Sequence, residues 1–175
     1  MEFLNLIKER IPDYAKDIRL NLDGTIARSS LAGMDALGVA LAAAFAAKCP
    51  FMVETIRNAR LLSPEEENAA LTAAALMGMN NAWYPYVEMS GDPELRTLPA
   101  QLRMNAYANH GGVEKRKFEM YALAASIVGK CAFCVASHYA LLKQEGMDQT
   151  QLRDIGRIAA VIQAAALVLA NTPER

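Results

Sequence analysis

The residues best suited to chemistry lie in the segment G-K-C-A-F-C-V-A-S-H-Y, which covers positions 129 to 139. If a helix begins at Cys131, then Cys131, Cys134 and His138 occupy positions i, i+3 and i+7 and share one helix face. The unpaired N–H groups and the dipole at a helix N-terminus favour the thiolate form of a cysteine in the first turn. A neighbouring imidazole can accept the thiol proton or stand as a cation beside the thiolate. The spacing therefore favours a reactive pair of thiols.

Several other sites use a C-x-x-C pair, and the sequence separates only some of them. A zinc site needs a fourth ligand or a water besides these three side chains, and only His110 or a carboxylate could supply it. A c-type haem site requires histidine directly after the second cysteine, where this chain has Val135. A thioredoxin fold places the pair after a β-strand, and no strand pattern precedes it here. Two buried structural cysteines beside a hydrogen-bonded histidine form the simplest alternative.

The length and composition are those of a folded protein without a strongly charged surface. The chain has 175 residues, of which 53% are hydrophobic and 21% are charged, and its net charge is −1. This balance excludes disorder and provides no basic surface for nucleic acid or an anionic membrane. The most apolar run, residues 158–170, contains Gln163 and is too short to span a bilayer. The amphipathic N-terminus lacks the features of a signal peptide, so we expect a cytoplasmic protein.

Helix-forming residues dominate the chain and no alternating β pattern is present, which predicts an all-α fold. Ser63 followed by Pro64 predicts the start of a helix, and Gly78 its end. A second helix is predicted over residues 114–128, with Gly129 as its C-terminal cap. A third helix is predicted from the cysteine pair to about residue 145, and a last one over residues 149–170.

The chain contains a weak internal sequence repeat. The segment K-C-P-F-M at positions 48–52 resembles K-C-A-F-C at positions 130–134, and each is followed by a short helical pattern, a capping residue and an alanine-rich helix. We therefore predict a single domain over residues 1–175 in which a helical unit near 35–82 is repeated near 116–170. The first copy has only Cys49, which we expect to be a small buried hydrophobic side chain.

The cysteine segment and the preceding F-E-M-Y-A-L-A-A-S-I-V (118–128) resemble the active-site segment of the AhpD-type alkyl hydroperoxide reductases. These proteins belong to the wider carboxymuconolactone decarboxylase-like superfamily. Three further stretches look similar and occur in the same order: Y-A-K-D-I-R-L-N-L (14–22), A-A-A-L-M-G-M-N-N-A-W-Y (73–84) and L-R-M-N-A-Y-A-N-H-G (102–111). The resemblance spans nearly the whole chain and is more specific than a C-x-x-C pair alone.

The resemblance implies a role for four residues. Cys134 matches the peroxidatic cysteine, which becomes a sulfenic acid, and Cys131 matches the resolving cysteine, which takes part in proton transfer and closes a Cys131–Cys134 disulfide. His138 and Glu119 match the members of a proton relay. Without the resemblance, Glu119 cannot be told apart from a solvated helix residue. Phe133 is a departure, since some members of the family carry histidine at that position.

The resemblance also implies the reaction and its partners. The substrate would be an alkyl hydroperoxide, and dihydrolipoamide on a lipoyl-bearing dehydrogenase-complex subunit would act as the reducing co-substrate. A peroxiredoxin, AhpC, would be a protein partner, the assembly would be a homotrimer, and no metal or tightly bound cofactor would be needed. A lactone decarboxylase of the same superfamily does not need the cysteine pair. A disulfide reductase without peroxidase activity and a redox-sensing helical protein use the same two thiols and stay open as alternatives.

Overall fold

The chain is built from helices throughout residues 2–172, which are the residues that the computed structural model describes, and no β-strand occurs among them. In chain order the α-helices are α1 (Glu2–Glu9), α2 (Lys16–Leu22), α3 (Gly33–Ala46), α4 (Pro50–Asn58), α5 (Pro64–Ser90), α6 (Pro93–Thr97), α7 (Asn105–Ala108), α8 (Lys115–Gly129), α9 (Ala132–Gln144) and α10 (Gln149–Ala170). Single turns of 3₁₀ or π helix lie at Asp13–Ala15, Asp23–Ala27 and His110–Gly112. The prediction of an all-α fold is confirmed.

The core lies where α3, α5, α8 and α10 pack against one another. Half of the buried residues of α3 are alanine, and such small side chains allow neighbouring helices to approach closely. Gly38 on α3 marks a close approach to α8, because a Cβ there would lie 2.6 Å from Oη of Tyr121. Near the N-terminal ends of α3, α5 and α8, Lys117 of α8 pairs with Asp35 of α3 and with Glu66 of α5. The core therefore fixes α8 between two neighbouring helices.

Several predicted helix ends are confirmed. Ser63 caps α5 through a capping box with Glu66, in which each side chain bonds the other residue's backbone N–H. Asp148 caps α10 in the same way with Gln151. The N-terminal amphipathic segment forms α1 and buries Phe3, Leu4 and Ile7.

The predicted end of a helix at Gly78 is wrong, because α5 continues to Ser90 and ends at Gly91, which adopts the left-handed conformation (φ 65°). A glycine inside a helix costs only about 1 kcal/mol relative to alanine. The helix passes through Gly78 because buried residues on both sides, Met77 and Asn80 among them, pack against the core. Packing of the flanking residues outweighs the local preference of one glycine.

The order of the helices follows the internal sequence repeat. Helices α3, α4 and α5 are followed later by α8, α9 and α10, and in both sets a short helix precedes a long one. Cys49 lies directly before α4 and Cys131 directly before α9. The duplication, and the single domain over residues 1–175, stay predictions; Met1 and residues 173–175 lie outside the described part of the chain.

No helix in residues 2–172 combines the length and the apolar character that a bilayer span requires.

Candidate active site

The two motif cysteines lie at the junction between α8 and α9. Helix α8 ends at Gly129, Lys130 adopts the left-handed conformation (φ 57°), and Cys131 is the N-cap of α9. The Cys131 sulfur accepts a hydrogen bond from the backbone N–H of Cys134 at 3.2 Å. The predicted helix start at the cysteine pair is therefore confirmed. A thiolate at either position would lie among the unpaired N–H groups of a helix N-terminus, which stabilise an anion.

The C-terminal cap of α8 differs from the sequence prediction. Gly129 is the last helical residue, and the left-handed residue is Lys130. Glycine is needed at position 129 because Asn81 of α5 packs against it, so a Cβ there would lie 2.8 Å from the Asn81 Cβ and closer still to its amide. The same Asn81 amide donates to the Ala125 carbonyl at 3.1 Å. Helix α5 thus fixes the backbone from which the cysteine pair starts.

Cys131 and Cys134 are joined by a disulfide, with their Cα atoms 5.3 Å apart. Both cysteines are buried, and the bond closes across the first turn of α9. Cys49 is a free and buried cysteine, as expected of a small hydrophobic side chain. Among the described residues, no group of three His, Cys, Asp or Glu side chains is arranged to hold a metal ion.

A buried carboxylate and an imidazole form the second part of the site. Glu119 of α8 is 0% exposed, and its Oε2 lies 2.6 Å from Nδ1 of His138 on α9. Burial alone would raise the pKa of Glu119, but hydrogen bonds from His138 and Tyr107 and the charge of Lys115 lower it overall. The carboxyl group is therefore held as a carboxylate in a place closed to solvent.

The other side of the His138 ring faces helix α5. Its Nε2 lies 3.1 Å from the Met77 sulfur. Because a carboxylate only accepts hydrogen bonds, the ring donates to Glu119 from Nδ1. Met77 and Glu119 together fix the orientation of the ring.

Tyr107 of α7 completes the group. Its hydroxyl donates to Oε1 of Glu119 at 2.5 Å, and its ring packs edge-on against Phe118 with the centroids 5.6 Å apart. Burial, together with the neighbouring Glu119 carboxylate, raises the pKa of Tyr107, so the phenol stays a donor. Sequence reasoning assigned no role to Tyr107 or Met77. The one available signal was that both fall in segments 73–84 and 102–111, which carry the family resemblance.

A mainly apolar cavity of about 590 Å³, which Glu88 and Arg96 also line, borders the turn between the two cysteines. Two of its lining residues, Ala132 and Phe133, stand between the two cysteines. Phe133 is 54% exposed and stacks on Tyr84 of α5, with the ring centroids 4.3 Å apart. The rest of the wall comes from the end of α5 and from the segment that contains α6, including Trp83, Val87, Leu95, Leu98 and Pro99. The cavity lies within the size range of small-molecule sites.

The sequence-predicted residues thus form two bonded pairs on α8 and α9 and at the turn between them, Cys131 with Cys134 and Glu119 with His138. His110, the one other histidine, lies near the Tyr107 ring and takes no part in these bonds. The catalytic roles that the resemblance implies for these residues stay predictions.

Comparison with known proteins agrees with this arrangement. The Carboxymuconolactone decarboxylase family matches residues 93–171, which contain the disulfide and the carboxylate–imidazole pair. The alkyl hydroperoxide reductase AhpD of Rhodospirillum centenum is 43% identical over 168 residues, which cover 95% of this chain and 90% of the relative. The AhpD proteins of Streptomyces avermitilis, at 43% identity, and of Maricaulis maris, at 41%, are covered over 94% and 97% of their lengths. On this similarity, the chain belongs to the AhpD family of alkyl hydroperoxide reductases.

Proposed function

We propose that this protein reduces alkyl hydroperoxides by cycling Cys131 and Cys134 between a dithiol and a disulfide. One observation carries most of the argument: the disulfide closes at a helix N-terminus, and a buried carboxylate–imidazole pair joins the two helices that meet there. The name of the relatives, alkyl hydroperoxide reductase, supports the choice of oxidant. The protein is thus an oxidoreductase that uses a peroxide as electron acceptor.

The oxidative half of the proposed cycle takes place on Cys134. Its thiolate attacks one oxygen of the hydroperoxide, the O–O bond breaks, and the products are an alcohol and a sulfenic acid on Cys134. His138, held by Glu119, removes the thiol proton beforehand and returns a proton to the departing alkoxide. The Cys131 thiol then attacks the sulfenic sulfur and releases water, which leaves the Cys131–Cys134 disulfide.

The apolar cavity supports an organic hydroperoxide as the substrate in preference to hydrogen peroxide. Its wall includes Phe133, which stands between the two cysteines in the chain, and Tyr84, which stacks on Phe133, so both rings present aromatic surface to the cavity. Removal of an alkyl or aryl group from water provides favourable binding free energy that hydrogen peroxide cannot gain. In this proposal the organic group occupies the cavity while the peroxide group faces Cys134.

The reductive half requires an external dithiol. Dihydrolipoamide attacks the disulfide, passes through a mixed disulfide and leaves as lipoamide, so that two electrons and two protons restore both thiols. We propose that a lipoyl-bearing dehydrogenase-complex subunit of the cytoplasm supplies this dithiol and that AhpC is a protein partner. The exposed Phe133 beside the disulfide offers such a partner an apolar contact. The cycle needs no tightly bound cofactor.

We also propose that the chain assembles as a homotrimer. Met89 and Leu98 near the cavity are 80% and 61% exposed, and exposed apolar patches of this kind often mark subunit contacts. Sedimentation equilibrium would test the proposal, since a monomeric mass at micromolar concentration would contradict it.

Steady-state turnover with cumene hydroperoxide and dihydrolipoamide tests the proposed function. Cys134→Ser abolishes turnover, and Cys131→Ser stops at the sulfenic acid, which a dimedone adduct on Cys134 reports. Cys49→Ser is the matched control and retains activity, because Cys49 lies away from the site. One equivalent of oxidation without further turnover would indicate a redox sensor. Reduction of protein disulfides without consumption of peroxide would indicate a disulfide reductase.

A further inference from the structure

The Glu119 carboxylate is held from both sides by partners from different segments of the chain. Oε1 accepts the hydrogen bond of the Tyr107 hydroxyl, and Oε2 faces Nδ1 of His138. Glu119 is completely buried, so solvent cannot replace either partner. The side chain is therefore oriented by Tyr107 at one oxygen and presented to the imidazole by the other.

Tyr107 is itself firmly placed. Its ring packs against Phe118, the residue before Glu119, and α7 is followed at once by the turn His110–Gly112. Gly111 in that turn has φ 62° and lies so close to α5 that a Cβ would be 2.9 Å from the Ala69 Cα. The turn therefore anchors the Tyr107 segment against α5 while the ring rests on α8. A donor fixed in this way can set the orientation of the carboxylate that it bonds.

We propose that Tyr107 is a positioning residue of the site, whose hydroxyl keeps Glu119 ionised and turned towards His138. This inference rests on the proposed function only for its effect on the rate, because the state of the carboxylate exists with or without catalysis. The other titratable groups near Glu119 are His138, Lys115 and, beyond the Tyr107 ring, His110. Lys115 is partly exposed and pairs with Glu145, so it cannot replace a buried donor.

The Tyr107→Phe substitution removes the hydroxyl and keeps the ring contact with Phe118. A hydrogen bond to a charged group changes a protonation equilibrium by roughly ten- to hundredfold, so we expect the pKa of Glu119 to rise by about one to two units. Carbon-13 NMR of protein labelled at the glutamate carboxyl carbons measures this shift, with the Glu119 signal assigned by its absence in Glu119→Gln. An unchanged titration of Glu119 in Tyr107→Phe would overturn the proposal.

The pH dependence of disulfide formation provides a second readout. Below the Glu119 pKa the relay is protonated, so the acid limb of the rate profile in Tyr107→Phe moves to higher pH by the same one to two units. Tyr14→Phe is the matched control, because it removes an exposed hydroxyl bonded to Thr172 and leaves the profile unchanged. A lower melting temperature with an unchanged profile would show a structural role alone and overturn the proposal.

Failure of the proposed function and failure of the role of Tyr107 can be told apart. If the wild-type protein does not react with peroxide, the proposed function fails, and the carboxyl titration still decides the role of Tyr107. If Tyr107→Phe does not fold, the wild-type protein provides the test through its proton NMR spectrum. A slowly exchanging downfield hydroxyl proton with an Overhauser contact to the Tyr107 ring supports the bond to Glu119, and absence of that proton refutes it.

Discussion

Replacement of Gly129 by alanine tests how α5 fixes the start of the cysteine segment. A Cβ at position 129 would overlap the side chain of Asn81, with 2.8 Å to its Cβ and less to its amide group. The obstacle is the whole of a side chain that also donates to the Ala125 carbonyl, so it cannot turn aside without loss of that hydrogen bond. Gly129→Ala must therefore displace either Asn81 or the backbone that leads to Cys131.

The expected magnitude follows from two opposing terms. Insertion of a methyl group into a packed site costs about 1 to 3 kcal/mol. Alanine is preferred to glycine within a helix by about 0.5 to 1 kcal/mol, which offsets part of this cost. From the midpoints of these two ranges, we expect Gly129→Ala to lower the free energy of unfolding by roughly 1 kcal/mol.

Urea unfolding of the disulfide-containing protein measures the change. Gly78→Ala is the matched control, because Gly78 is helical and nothing lies within 4 Å of its added Cβ, so only the helix preference acts there. We expect that variant to gain about 0.5 to 1 kcal/mol. A double-mutant cycle adds Asn81→Ala, which removes the amide group and leaves only the 2.8 Å contact with the Cβ, so Gly129→Ala costs less in that background. An equal cost in both backgrounds, or a Gly129→Ala protein as stable as the wild type, would refute the reasoning.

Three further perturbations have definite outcomes. Gly38→Ala pushes a Cβ against the Tyr121 ring and lowers the free energy of unfolding by about 1 to 3 kcal/mol in urea titrations, and no loss would contradict the close packing of α3 on α8. Burial alone would raise the pKa of Asp154, but hydrogen bonds from the Ser30 N–H and from two arginines lower it to about 2. The ionised carboxylate thereby stabilises the fold by about 2 kcal/mol above pH 4, and this stabilisation is lost as the pH falls through about 2. Asp154→Asn is therefore destabilising at pH 7 and neutral near pH 2. An equal cost at both pH values would show that the ionised carboxylate is not the source of the stabilisation. Phe133→Ala raises KM for cumene hydroperoxide by about three- to tenfold more than KM for hydrogen peroxide. Equal changes in the two KM values would show that the cavity does not bind the organic group of the substrate.

Local signals in the sequence predicted the helix starts correctly. Ser63 and Asp148 cap α5 and α10 through bonds within a few residues of themselves, so no distant contact can alter them. Glycine predicted helix ends less well, because its effect depends on which side chains of other helices pack against it. Gly78 has no close neighbour and stays within its helix, and Gly129 is required by a side chain from α5.

The site was predictable where its residues lie on one helix. The spacing of Cys131, Cys134 and His138 places them together on α9, since a helix brings residues three and four apart to the same face. Glu119 lies on α8 and was identified only through the family resemblance, because sequence reasoning cannot detect that a glutamate is buried. Met77 approaches His138 across 61 residues of chain, a contact that only the fold creates.

The most direct test of the account is the response of the two motif thiols to peroxide. The reduced protein receives one equivalent of cumene hydroperoxide, free thiols are titrated before and after, and a peptide map locates any disulfide. The account predicts loss of two thiols, a Cys131–Cys134 bond, and recovery of both thiols with dihydrolipoamide. No loss of thiols, or oxidation of Cys49 alone, would contradict the proposed cycle, and zinc analysis of the reduced protein would then test whether the motif binds a metal.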